Sequence, residues 1–146
     1  MEVIRKAQEA DLARIAEIEI FNYRLFFYPI FQNDGFYFDE LQVPSRMKHF
    51  REVLSELWVY DDGAVKGFVQ AGNLEVKKLF VEPVLQGQAI GSKLLLHATE
   101  QLNARFLWAL EKNTRAIAFY QRHGFQPTGE RQLEEDTAEY LIRLTL

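Results

Sequence analysis

The chain has 146 residues, the length of one compact domain, and its 48% apolar and 26% charged residues exclude a wholly disordered polymer. A net charge of −4 leaves no global basic field of the kind a nucleic-acid binder uses, and the absence of cysteine removes disulfides, thiolate catalysis and zinc–cysteine centres. His49, His97 and His123 are not spaced as metal ligands, no apolar run reaches the ~18 residues of a membrane span, and no leader pattern opens the chain. The expectation is one cytoplasmic, metal-free domain over residues 1–146, with no nucleic-acid or membrane partner.

Alternation from Glu2 to Ala7 predicts a first strand, and helical spacing begins at Leu12, Ile15, Ala16 and Ile18, with Asp11 as the N-cap. Between Phe21 and Phe38 nine of eighteen residues are aromatic; Pro29 and Asn33-Asp34-Gly35 interrupt them, and the stretch reads largely as loop. Pro44 fits the first turn of a second helix ending near Glu56. Three strands follow, Leu57–Tyr60, Ala64–Ala71 and Leu74–Val81, joined by turns at Asp61-Asp62-Gly63 and Gly72-Asn73. Pro83 ends the third, because it cannot donate to a ladder. A loop from Gln86 to Gly91 opens a helix reaching about Leu102. Beyond it come a strand at Phe106–Leu110, a helix from Asn113 to His123 stopped by Gly124, and strands at Phe125–Arg131 and Tyr140–Thr145. The order β-α-α-β-β-β-α-β-α-β-β is that of a mixed α/β sheet with helices on its faces.

The strand, the loop Gln86-Gly87-Gln88-Ala89-Ile90-Gly91 and the helix starting there make an anion-binding arrangement. Free N–H groups of the first helical turn point at the loop, the macrodipole favours negative charge, and the small residues Gly87, Ala89 and Gly91 permit close approach of a diphosphate. The spacing is neither that of a nucleoside-triphosphatase loop nor that of a dinucleotide fingerprint. Read alone, the loop serves equally as a plain strand-to-helix connection.

Two segments together resemble the GNAT family of acetyl-CoA-dependent N-acetyltransferases. Gln86, Ala89 and Gly91 fall on the specified positions of that family's Q/R-x-x-G-x-G/A loop, with alanine in place of the central glycine. Asn113, Ala116, Tyr120, Gly124 and Phe125 follow its N-x-x-A-x-x-x-Y-x-x-x-G-F pattern. The resemblance is at motif level from about Leu57 to Phe125. Residues 21–56 match only as the family's variable acceptor-binding region.

The resemblance implies a GNAT fold, a mostly antiparallel mixed sheet splayed between its fourth and fifth strands with helices on both faces. It implies acetyl-CoA as cosubstrate and transfer to a primary amine by direct attack in a ternary complex. The loop residues Gln86, Gly87, Gln88, Ala89, Ile90, Gly91 and Ser92 would hold the coenzyme A diphosphate. Leu79, Phe80 and Val81 would pair with its pantetheine arm, and a backbone N–H at Phe80 or Val81 would receive the acetyl carbonyl. Asn113 and Ala116 would complete the cofactor contacts, Asn113 serving also as an N-cap. Ala89 is expected to take ordinary dihedrals, so that restoring glycine would only cost stability.

An amine must be neutral to attack, and the departing thiolate benefits from a proton. Tyr120, beside Phe119, is the candidate acid, with core packing as its other reading. Glu75 matches the position of a glutamate base in histone-type members; otherwise it is an exposed partner of Lys77 on the same strand. His97 and His123 are expected on solvent-facing helix surfaces. The surplus aromatics either line an acceptor pocket or belong to core or to a subunit interface, as in a homodimer. Two rivals remain on the same fold, an acyl-CoA-binding module without transfer and a protein-interaction domain. The sequence does not name the acceptor.

Overall fold

Alternation along the central strands decides which helices lie on which face of the sheet. The computed structural model describes residues 3–146. These form strands β1 (Ile4–Lys6), β2 (Leu57–Asp61), β3 (Val65–Gly72), β4 (Glu75–Val81), β5 (Phe106–Leu110), β6 (Gln126–Leu133) and β7 (Tyr140–Thr145). The helices are α1 (Leu12–Asn22), α2 (Tyr28–Phe31), α3 (Val43–Glu52), α4 (Ile90–Gln101) and α5 (Thr114–Arg122). Leu57, Val59 and Phe68 point to one face and pack with Leu12, Ile15, Ile18 and Phe50 of α1 and α3. Tyr60, Val69, Val76 and Val81 point to the other, beneath Leu94, Leu95 and Ala98 of α4. Ile117, Phe119 and Tyr120 of α5 extend that second core. Gly67 on β3 permits this close approach: a Cβ there would meet Leu94 and the Phe80 carbonyl at 3.0 Å.

The strand order is β1-β2-β3-β4-β5-β7-β6, antiparallel throughout except where β4 meets β5. That parallel contact is a single registered pair, Glu75 with Phe106, fixed by the Leu74 carbonyl accepting from the N–H groups of Arg105 and Phe106. Beyond it the strands diverge, which is the expected splay between the fourth and fifth strands. A bulge between Gln70 and Ala71 shifts the β3–β4 register close to this point.

Several local expectations change, among them the end of the second helix, which stops at Glu52 and not near Glu56. The β3–β4 turn is Asn73-Leu74, both at positive φ (53° and 67°), between the paired Gly72 and Glu75, so it lies one residue later than expected. Asp11 does not cap α1 with its side chain. Its carboxylate accepts from the Gln8 N–H (2.8 Å) and from Arg5, which also reaches Asp61. The aromatic stretch is helical, not loop: α1 runs into a π-helical turn at Tyr23–Phe27, then α2, then a second π-turn at Gly35–Glu40. Pro29 sits in the first turn of α2, where a missing N–H is harmless. The expected strand start at Glu2 lies outside the described residues. Phe125 packs in the core just before β6, and β6 ends at Leu133.

Phe50 is completely buried and meets Phe68 edge-on at 5.5 Å between ring centroids. Phe50→Ala is expected to lower the unfolding free energy by about 3–5 kcal/mol, measured by chemical denaturation.

Candidate functional site

After β4 the chain makes one 3-10 turn at Pro83–Leu85 and passes through Gln86–Ala89 into α4. Gly87 has φ +89° and open space where a side chain would stand, so the backbone there is bare toward the cleft. Ala89, the residue preceding α4, has φ +66°. The expectation of ordinary dihedrals is therefore corrected: the loop needs a left-handed residue here, and alanine carries the strain that glycine would avoid. Gly91, in the first turn, brings α4 within reach of α5, since its Cβ would sit 3.4 Å from the Phe119 ring.

Asn22 ties this loop to the sheet, a role the sequence reading did not find. It is 2% exposed; its amide donates to the carbonyls of Val81 and Ile18 at 2.9 Å, and its oxygen accepts from Gln86 at 3.1 Å. The only sequence signal was an asparagine at helical spacing from Ile15 and Ile18, on the apolar face of α1.

On the other side of the splay, Asn113 caps α5 by accepting from the Ala116 N–H. Tyr120 packs against Phe119 and Phe125, and its burial raises the phenol above its ordinary pKa. His123 does not face solvent. Its Nδ1 donates to the Phe119 carbonyl (2.8 Å), which leaves Nε2 to accept from the Ser92 hydroxyl (2.9 Å). His97 likewise packs its ring 4.6 Å from that of Trp58. Arg115 lies over the Phe26 ring at 4.5 Å.

Two hollows meet in the splay. A cleft of about 540 Å³ runs from the loop inward, lined by Leu79, Phe80, Val81, Gln86, Gly87, Ala89, Ile90, Gly91 and Ser92, and by Asn113, Ala116 and Tyr120 across from them. All the residues expected to hold a cofactor stand here except Gln88, which is exposed and outside the lining. The second, of about 670 Å³, is walled by Tyr23, Phe27, Phe31, Phe36 and Tyr37 from the aromatic segment. Phe27, Leu79, Phe80, Asn113, Ala116 and Tyr120 line both hollows.

Glu75 is not brought to this junction. It sits at the joined end of β4 and β5, paired with Gly72 and Phe106, and lines neither hollow. Half-burial raises its carboxyl above the usual range, Lys77 pulling the other way.

The aromatic cavity is strongly polarised. Glu40, Glu134, Glu135 and Asp136 line it, and none of the four forms an ion pair among the described residues. On the β4 side stands Lys78, whose ammonium donates to the fully buried Glu19 and, at 2.6 Å, to the Tyr23 hydroxyl. Arg46 donates to both oxygens of Glu19, at 2.5 and 3.1 Å. Burial alone would raise the Glu19 carboxyl, but Lys78 and Arg46 outweigh it and hold it below its ordinary value.

A family model for the acetyltransferase (GNAT) domain matches residues 54–127, half of the chain. The chain belongs to the GNAT family. It is 32% identical over 81 residues to the peptidyl-lysine N-acetyltransferase YjaB of Salmonella typhimurium (strain LT2), a match covering 54% of this chain and 56% of that protein. The match thus spans little more than half the length of this curated relative. The solution structure of apo YjaB from Escherichia coli superposes with a TM-score of 0.72 at 23% identity, over 97% of this chain and 95% of that one. The PaiA N-acetyltransferase of Thermoplasma acidophilum, solved in complex with coenzyme A, does so with a TM-score of 0.70 at 17% identity, over 98% of each chain. At these identities both likenesses establish the fold.

Relieving the left-handed alanine is worth about 1–2 kcal/mol, against about 0.4–1 kcal/mol of added unfolded-state freedom. Ala89→Gly is therefore expected to raise the melting temperature, opposite in sign to the sequence-based expectation, as read by thermal denaturation.

Proposed function

We propose that the chain transfers an acetyl group from acetyl-CoA to a primary amine by direct attack, both substrates being bound together. The observation that carries this reading is the shared wall of Phe80, Asn113 and Tyr120 between two hollows, one for each substrate. The loop from Gln86 to Ser92 and the N-terminus of α4 offer backbone N–H groups and a positive dipole end to the diphosphate. The pantetheine arm lies along Leu79–Val81, where β4 has no ladder to β5. The acetyl carbonyl accepts from a β4 N–H near Phe80, and holding the amine against it makes attack effectively intramolecular. The four carboxylates of the aromatic cavity draw a cationic amine toward the junction. YjaB is named for acetylating peptidyl-lysine, which is one form of primary amine.

Because Glu75 stands outside both hollows, the ammonium proton leaves to solvent in the open cavity before attack. The second nitrogen proton departs after attack, as the thiolate is expelled. Tyr120 keeps its own proton at neutral pH, more firmly still because it is buried. Complete transfer from such a phenol to a thiolate of pKa ~8.5 is uphill, which amends the expected acid role. Tyr120 instead offers sulfur a hydrogen bond that strengthens as negative charge builds there, and relays the nitrogen proton to it.

Acetyl-CoA is expected to raise the melting temperature of the wild type, by linkage to the folded state. Gly87→Asp, which sets a carboxylate where the diphosphate approaches, is expected to abolish that shift and the calorimetric binding signal. Tyr120→Phe is expected to cut turnover about 10²-fold or more with acetyl-CoA affinity nearly unchanged. Free-thiol release against a panel of amines, with calorimetry alongside, checks both the reading and this variant.

A further inference from the structure

The Tyr23 hydroxyl is engaged on one side only. Lysine has three donors and no acceptor, so the 2.6 Å contact makes Tyr23 Oη the acceptor from Lys78. The Tyr23 proton is then left over, and none of the described residues accepts it. Its ring is fixed by stacking on Phe27 (4.8 Å between centroids) and by the edge of Phe80 (5.6 Å). Lys78 is fixed in turn by Glu19, itself clamped by Arg46. The hydroxyl is thus held as a donor in the aromatic cavity; Tyr23 does not line the cofactor cleft.

The charges around it have a sense. Lys78 and Arg46 face only Glu19, which leaves one positive charge in excess on the β4 side. Glu134, Glu135 and Asp136 stand on the opposite side of the splay, on the connection between β6 and β7. A ligand that suits both sides carries a cationic nitrogen toward the carboxylates and an oxygen toward Tyr23 and Lys78. A plain alkylamine leaves the Tyr23 donor unanswered, and a polar group so placed rejects ligands that lack its partner.

Resting on the acetyltransferase reading, we propose that the acceptor is an amino-acid-like amine, a primary amine accompanied by a carbonyl or carboxylate oxygen, and that Tyr23 is the residue that selects it by hydrogen-bonding that oxygen. Lys78 and Glu19 act as positioning residues for Tyr23.

The test compares kcat/KM for L-alaninamide and n-propylamine in the wild type and in Tyr23→Phe, by thiol release from acetyl-CoA. The effect of the substitution on each amine cancels the difference in their basicity. Expected is a loss of tenfold or more for alaninamide and less than twofold for propylamine, with the acetyl-CoA affinity of the variant unchanged and its melting temperature lowered only modestly by the acceptor that Lys78 loses. Equal losses for both amines overturn the proposal, as does turnover of propylamine without turnover of alaninamide. A second measurement needs no variant: N,N-dimethylglycinamide, which cannot be acylated to a stable amide, is expected to inhibit the wild type at tenfold lower concentration than N,N-dimethylpropylamine. Equal inhibition overturns the proposal. Absence of thiol release with every amine tried brings down the acetyltransferase reading itself, an outcome distinct from loss of selectivity in a working enzyme.

Discussion

The candidate site hangs on the parting of β4 from β5. Two adjacent parallel strands ordinarily share a ladder along their length, and here they share one pair at Glu75 and Phe106. The Leu74 carbonyl, receiving both Arg105 and Phe106, holds the strands together at that end. Backbone groups of β4 beyond it are left without a β5 partner, and buried polar groups of this kind must find one elsewhere. Asn22 takes the Val81 carbonyl, and a bound ligand is the natural partner for the groups before it. The gap has apolar walls from both cores, and it receives the loop from one side and the aromatic segment from the other.

The wall on the β4 side is kept in shape by charge. Burying Glu19 is costly, and the cost is offset only because Lys78 and Arg46 both reach it from different elements. The result joins α1, α3 and β4 beneath the aromatic cavity, with Tyr23 at its end. Such a network fixes where a hydroxyl points more firmly than packing alone, since a shift of either cation strands a buried carboxylate. The aromatic segment supplies the remaining wall by folding as π-turns around a short helix, which lets Ile20, Tyr37 and Leu41 make a small core of their own. Its rings are thereby divided among core, cavity and surface.

Much of this was legible in the chain itself. The element order, the loop at Gln86–Gly91 and the helix capped by Asn113 follow from periodicity, turn chemistry and capping, which are local properties. The spacing of Gln86, Ala89 and Gly91 with Asn113, Ala116 and Tyr120 points to the family from the sequence alone. Gly87 takes a positive φ that suits glycine, and Gly91 lies where a Cβ would come within 3.4 Å of the Phe119 ring.

What only the tertiary structure decided depends on residues distant in sequence meeting at one point. Asn22 joins Gln86 across 64 positions and Tyr23 joins Lys78 across 55, and no periodic pattern marks such pairs. The aromatic run looked like loop because proline, asparagine and glycine break it, yet its rings gain enough burial against one another to impose helical turns. Glu75 stood at a suggestive spacing from the loop, but the strand divergence that opens the site begins just after it, leaving it on the closed side. Ala89 shows the same limit at the scale of one residue. Its composition favours an ordinary helix entry, while the path from Gln86 into α4 requires a left-handed turn, and the backbone geometry prevails.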